Sequence, residues 1–352
     1  MARKYWAGLD VGVETTSICV VNDFGEIIRE AVCPTSVKSI HEQIRFLKRR
    51  RSAEVAIESG AGMYLARGLR TLGYAIVMYE SRQLSGFLRV RRIKTDAGDA
   101  FGIAQAGRIG ANLVSKVHLK SLECQSLSAR LRMRRHLIAS RTRAVNLLCR
   151  QLEQFGGRVC IPARSPAFAA AVEAELRTLF GRTAPPLAAD FRRLLAQCLE
   201  MVAQEKALTL ELTRVAKSSE LCRRFMEIPG VGPICALTFY AAVGEPDRFR
   251  KNADIGCYFG LTPKLHQSGL VRRSGRISKM GNKEARTMLI AASTHFMRVN
   301  SETRILAWAK QLELRRGRRK SRVALARKLA SVMLAMWKKG ERYCPHPLES
   351  AA

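Results

Sequence analysis

Four carboxylates are the side chains best placed to do chemistry: Asp10, Glu58, Asp96 and Asp99. Asp10 interrupts the apolar run Tyr5-Trp-Ala-Gly-Leu-Asp10-Val-Gly12. A carboxylate inside a central strand is costly unless a cation or donor meets it. Glu58 closes the short apolar stretch Ala53 to Ile57, and Asp96 and Asp99 stand three apart on one face of a helix start that Thr95 can cap. Carboxylates gathered from a strand centre, a strand end and a helix face make an oxygen-rich cage suited to magnesium. Two such ions, roughly 4 Å apart, would clamp the attacking and leaving oxygens of a phosphoryl transfer. Taken singly, each acid has a plainer role as a turn cap, a surface group or a helix N-terminal charge. Taken together, in a chain of net charge +32 with only 29 acids, the metal reading prevails.

The elements that must position these acids are legible from the pattern. Tyr5 to Val11, Thr15 to Val21 and Glu26 to Val32 read as three strands joined by tight turns, the second turn being Asn22-Asp-Phe-Gly25. Helical spacing follows over Val37 to Arg51, then a strand at Ala53 to Ile57, a helix at Met63 to Leu72 and a strand at Tyr74 to Tyr79. A hairpin sheet followed by strand–helix–strand units predicts an α/β layered domain over residues 1–112. Residues 113–222 are helical by pattern, with two long stretches, Ser115 to Phe155 and Leu187 to Cys222, that suggest an antiparallel pair or coiled-coil arm for subunit pairing. Residues 223–345 are mainly α and open on Glu227-Ile-Pro-Gly-Val-Gly-Pro233, a helix-hairpin-helix signature. Its glycines, Gly230 and Gly232, would let the backbone approach a phosphate at the next helix N-terminus.

Charge narrows the function classes. With 352 residues and pI near 10.6, the field attracts polyanions, nucleic acid foremost. The three stretches carry +6, +9 and +17, so the last is the expected seat of the phosphate backbone. Arg272, Arg273, Arg276, Lys279 and Lys283 are its candidate phosphate ligands, in a binding mode that would weaken steeply with salt. Ten cysteines stand singly, with neither CxxC nor zinc-like spacing, which suits buried reduced thiols and a cytoplasmic setting. No apolar run approaches membrane-spanning length, and no secretory signal precedes the first strand.

Gly8-Leu-Asp10-Val-Gly12, Ile57-Glu58-Ser-Gly60 and Lys94-Thr-Asp96-Ala-Gly-Asp99-Ala resemble the RuvC-like, ribonuclease-H-fold domain of the DEDD insertion-sequence transposases of the IS110/IS1111 type. Ile228-Pro-Gly-Val-Gly-Pro233, Gly260-Leu-Thr-Pro263, Gln267-Ser-Gly269 and Arg276-Ile-Ser-Lys-Met-Gly-Asn282 resemble that family's C-terminal domain. The resemblance covers nearly the whole chain in the same motif order. It implies a recombinase guided by a structured "bridge" RNA that pairs with donor and target DNA. It further implies a magnesium-dependent reaction in which a serine, here Ser268, attacks the phosphodiester and forms a phosphoserine intermediate. A serine hydroxyl needs a metal or base to activate it. None is evident beside Ser268 except His266, so the carboxylates would come from the other domain of another subunit in a dimer or tetramer. Ser274 and Ser278 are nearby hydroxyls that could stand in for it, and Ser59, beside Glu58, is a further candidate hydroxyl.

Three other classes compete. An actin-like sugar kinase shares the opening Gly-Leu-Asp-Val-Gly but should carry further phosphate loops, and +32 does not suit it. A RuvC-like metal-dependent nuclease or junction resolvase would share the four acids yet release its products by water attack. A non-catalytic nucleic-acid-binding protein explains the charge but leaves Asp10 unaccounted for.

Overall fold

A computed structural model describes residues 4–49, 53–60, 62–90, 94–110, 113–181, 185–268, 271–299 and 303–345. The fold is mixed α/β, with two compact units, Met1–Leu119 and Lys120–Ala352.

The first unit is built on a six-stranded sheet. Its elements are β1 (Tyr5–Val11), β2 (Thr15–Val21), β3 (Ile27–Pro34), α1 (Val37–Ile44), β4 (Ala53–Glu58), α2 (Met63–Thr71), β5 (Ala75–Tyr79), α3 (Ser81–Leu88), α4 (Asp96–Ile109) and the short β6 (Lys116–Val117). Strand order is β3-β2-β1-β4-β5-β6. The hairpin strands run antiparallel, β1, β4 and β5 run parallel, and β6 closes the far edge antiparallel.

Alternation sorts the side chains of the central strands to two faces. Ala7, Leu9, Ile18, Val20, Val55 and Ile57 bury one face together with residues of α1 and α2. Trp6, Cys19, Val21 and Ala56 lie on the other, beneath α4. That helix is rich in small residues, and its seating depends on Gly8. A Cβ at Gly8 would lie 2.1 Å from the Ala100 carbonyl oxygen and 2.4 Å from the Ala104 nitrogen. Gly107 in turn accommodates Trp6, whose ring carbon would stand 3.1 Å from a Cβ there. Helix and strand therefore run in backbone contact, and the N-terminal turn of α4 overhangs the carboxyl end of β1.

The second unit is mainly helical: α5 (Leu122–Gln154), α6 (Phe168–Phe180), α7 (Pro185–Ser218), α8 (Glu220–Met226), α9 (Pro233–Val243), α10 (Asp254–Tyr258), the hairpin β7 (Pro263–Ser268) and β8 (Val271–Ile277), α11 (Lys283–Phe296), α12 (Arg304–Arg316) and α13 (Arg318–Lys339). Helix α5, about 50 Å long at 1.5 Å per residue, packs antiparallel to α7. Arg130 meets Glu211, Arg134 meets Thr209 and Arg141 meets Glu205, so partners descend in number as α5 ascends. Glu205 is 1% exposed and also receives Arg164 from the segment before α6. At the far end, α6 closes a core in which Phe180 contacts Phe155 and Phe191 at 5.1 and 5.5 Å between ring centroids.

Where the sequence suggested three stretches, contacts give two units. The reason lies at the near ends of the two long helices, where Leu127, Leu131, Leu212 and Ala216 share one core with Phe225, Phe239, Phe259 and the inner face of α13. Three further differences stand out. Helices α3, α6 and α12 were not expected as elements, residues 249–260 of the stretch expected to be mainly α hold only the short α10, and the basic stretch after Thr262 is a hairpin. All ten cysteines are free, six of them buried. No helix among the described residues is long and apolar enough to cross a membrane.

Candidate active site and nucleic-acid interface

The four carboxylates belong to one unit, and the sheet explains how they meet. Leu9 pairs with Ile57 in parallel register, which makes Asp10 and Glu58 the next positions along the two adjacent strands. Alternation puts Asp10 on the face of Gly8, and Glu58 on the face of Ala56. Both faces are the one covered by α4. Thr95 caps α4 by accepting from the Gly98 N–H at 3.1 Å, which starts the helix with Asp96 and Asp99 in its first turn. Asp99 is half-buried and Asp96 exposed.

Charge registers the convergence. The Asp10 carboxyl is pushed up to about 6 from an ordinary 3.8, first by burial and then by Asp99, Asp96 and Glu58; Lys94 opposes them. An acid whose three acidic neighbours all raise it is a group short of a counter-cation. Oxygen-only donors of this kind fit a hard divalent ion. Among the described residues, no group of three or more His, Cys, Asp or Glu side chains is already drawn tightly enough to hold a metal ion. The acids are neighbours in the electrostatic sense, each raising the Asp10 carboxyl. Gly8 and Lys94 are the contributors that sequence reasoning overlooked as site residues. The signal for Gly8 was present, since it stands two residues before Asp10 on the same strand face.

The second unit carries Ser268 at the exposed end of β7, where it pairs with Val271 across the hairpin turn. Arg273, two residues beyond Val271, shares its face and is exposed. Gly269 and the side chains of Arg272, His266 and Ser274 lie outside the described residues. The base of the hairpin is fastened tightly. A Cβ at Gly260 would fall 2.1 Å from the Met280 carbonyl oxygen, and one at Gly281 would fall 2.0 Å from that of Tyr258. Arg286, 8% exposed, donates to the Phe259 carbonyl at 2.8 Å and to that of Met280 at 3.3 Å. The Ser278 N–H donates to the Thr262 carbonyl at 2.8 Å, and the Lys279 N–H to that of Gly260 at 3.1 Å. This clasp forces Lys279 to φ +56°, the one non-glycine at positive φ among the described residues. The serine thus stands on a projecting arm with an anchored root.

The remaining cations predicted to bind phosphate divide by setting. Arg276 and Lys279 are exposed, one on β8 and one in the clasp. Lys283 opens α11 and lines a cleft of about 300 Å³ with Arg132 and Arg135 of α5 and with Glu284. Burial raises the Glu284 carboxyl while Arg135, Arg132 and Arg134 hold it down. The two glycines of the α8–α9 turn differ. A Cβ on Gly230 (φ +85°) would meet the Ala292 carbonyl oxygen at 2.5 Å, so this glycine serves close packing against α11. Gly232 caps α9 with open space beside it.

Known proteins resemble the chain in both units. The DEDD transposase family of the IS110 type matches residues 7–156, which include all four carboxylates. A family described as the IS116/IS110/IS902 transposases matches residues 222–306, which include Ser268. The transposase for insertion sequence element IS1111A of Coxiella burnetii is 28% identical over 349 residues, covering 96% of this chain and 90% of its own. A Pseudomonas aeruginosa protein named "Probable family 20 transposase" is 29% identical over 322 residues, covering 89% and 92%.

Proposed function

Because this chain belongs to the IS110 family of insertion-sequence transposases, we propose that it exchanges DNA strands through a covalent phosphoserine intermediate assembled with magnesium and a guide RNA. Transposition implies DNA strand transfer; the nucleophile, the ion and the RNA are the finer reading. The observation that carries it is the convergence of Asp99, Asp96 and Glu58 on a half-buried Asp10 whose carboxyl rises to about 6. A family domain of the DEDD type implies a RuvC-like fold, and the strand order β3-β2-β1-β4-β5 with acids at the carboxyl ends of β1 and β4 agrees with it.

In this reading Asp10, Glu58, Asp96 and Asp99 hold the ion. Magnesium bound there supplies positive charge to a phosphodiester and so lowers the cost of attack on it. Ser268 supplies the hydroxyl: its Oγ–P bond forms as one sugar oxygen leaves, the serine proton departs to solvent, and the leaving oxygen takes up a proton. Reversal with a different sugar hydroxyl rejoins the strand without hydrolysis. Arg273, Arg276 and Lys279 on the same arm hold flanking phosphates, together with Arg272 and Lys283. The protein acts as a dimer or tetramer, with carboxylates and serine contributed by different copies.

The test is to mix protein, guide RNA and end-labelled DNA with magnesium and look for a labelled, protease-sensitive adduct. Its appearance with the native chain and loss in Ser268→Ala support the recombinase. A free nicked product supports the junction-nuclease alternative, and binding with neither outcome supports a protein that only holds nucleic acid.

A further inference from the structure

We propose that a cleft among α10, α12 and α13 holds an unpaired nucleotide of a single strand, its base stacked on Trp308 and its phosphates met by Arg304, Arg327 and Lys328. The proposal rests on the nucleic-acid reading above and adds a site to it. The cleft measures about 850 Å³, within the range of natural small-ligand pockets, and lies wholly inside the second unit.

Its lining has the two components that single-strand binding requires, a flat π-face and a bank of cations. Trp308 is 39% exposed, whereas Trp337 stacks on Tyr240 at 5.2 Å and Trp6 packs under α4. Arg304 stands one turn before Trp308 on α12, so both project to the same side. Across the cleft, α13 presents Arg327 and Lys328, neither of which forms an ion pair among the described residues. The Arg327 stem is laid down in advance. A Cβ on Gly256 would fall 2.5 Å from its Cγ and 2.8 Å from its Cδ, so the absent methyl lets the stem lie flat on α10. A guanidinium held this way gives up little freedom on binding. Asp254, the carboxylate of the lining, already accepts the Lys251 N–H at 3.0 Å.

Position agrees with chemistry. The basic turn Arg315-Arg-Gly-Arg-Arg-Lys320 joins the two helices that form the walls. Thr262 lines the cleft and immediately precedes β7, so Ser268 is no more than about 20 Å away along an extended strand. An acidic peptide would engage the cations but leave the indole face unused. A duplex keeps its bases stacked internally and offers none to it. An unpaired nucleotide uses both.

The full chain, titrated with unpaired DNA and unpaired RNA twelve-mers of one sequence and with the matching duplex, tests this. Its three tryptophans provide the signal. Single strands should quench fluorescence in the native protein, and Trp308→Phe should abolish the quench while keeping most of the affinity. Trp308→Ala should weaken single-strand binding roughly 5- to 100-fold and duplex binding under about 2-fold. Replacing Arg327 and Lys328 together by Ala should lower the single-strand salt slope by about 1.4. The DNA and RNA arms tell whether the occupant is the strand being cut or the guide. A quench that persists in Trp308→Phe overturns the proposal, as does equal loss on single strand and duplex in Trp308→Ala or a greater loss on an acidic peptide. The adduct assay on the same samples keeps the two readings apart: an adduct without the Trp308 signal sinks only this site, and the signal without an adduct sinks only the serine chemistry.

Discussion

At the scale of single residues, Asp10 is held in a setting that resists its ionisation, and the sign of its pH dependence follows. Its folded-state value, about 6, lies above the ordinary 3.8, so its stabilising effect is complete below pH 3.8 and lost as pH rises through 6. Asp10→Asn should therefore melt like the native chain near pH 3.5 and at a higher temperature near pH 7.5 without metal. Magnesium should raise the melting temperature of the native chain but not of this variant; an equal shift in both would remove Asp10 from the ion's ligands. Gly8→Ala places a methyl 2.1 Å from a backbone oxygen. A clash with main chain cannot be relieved by rotating a side chain, so the cost should reach about 3 kcal/mol or more in urea unfolding. The Asp10 motif was legible because a carboxylate in an apolar strand violates a burial rule. The importance of Gly8 was hidden because a glycine reports what is near it only once the neighbouring helix is in place.

At the scale of elements, the serine-bearing hairpin and the long helical pair have separate supports. Lys279 adopts a left-handed backbone to complete the clasp at the hairpin's root. Lys279→Gly should leave stability unchanged or raise it by up to about 1 kcal/mol, while lowering the salt slope of duplex-DNA binding by about 0.9. A destabilised variant would show that the lysine stem, not the strain, dominates there. In the helical pair, Glu205 is buried between Arg141 and Arg164. Glu205→Ala leaves Arg141 without its partner and should cost about 3–5 kcal/mol by denaturant titration. The long helices α5 and α7 could be read from periodicity, since thirty-odd residues average out local exceptions. Hairpin β7–β8 could not, because its strands are basic and half polar, and their pairing is imposed by Gly260, Gly281 and Arg286 from outside. Helix α6 was masked by the prolines and glycines on either side of it.

At the scale of the whole molecule, the two sets of residues assigned to the proposed reaction fall in different compact units, the acids before Leu119 and Ser268 after it. If separate copies supply them, Asp10→Asn mixed with Ser268→Ala should restore part of the DNA adduct that each lacks alone, measured on labelled DNA with guide RNA. No adduct in the mixture, with full activity in the native control, would place both contributions in one copy. The uneven charge, +6 before residue 113 and +17 after residue 222, could be summed from the sequence. How it is distributed in space could not, since the cleft beside Trp308 exists only where α10 packs against the later pair α12 and α13. The boundary near Leu119 also bears on how such a gene decays. A stop codon soon after it would leave a polypeptide that keeps all four acids but lacks both the long helices proposed to pair subunits and the hairpin that carries Ser268. On the proposed reaction such a remnant would neither join intact copies nor cut DNA, and a gene damaged there would fall silent without restraining its active relatives.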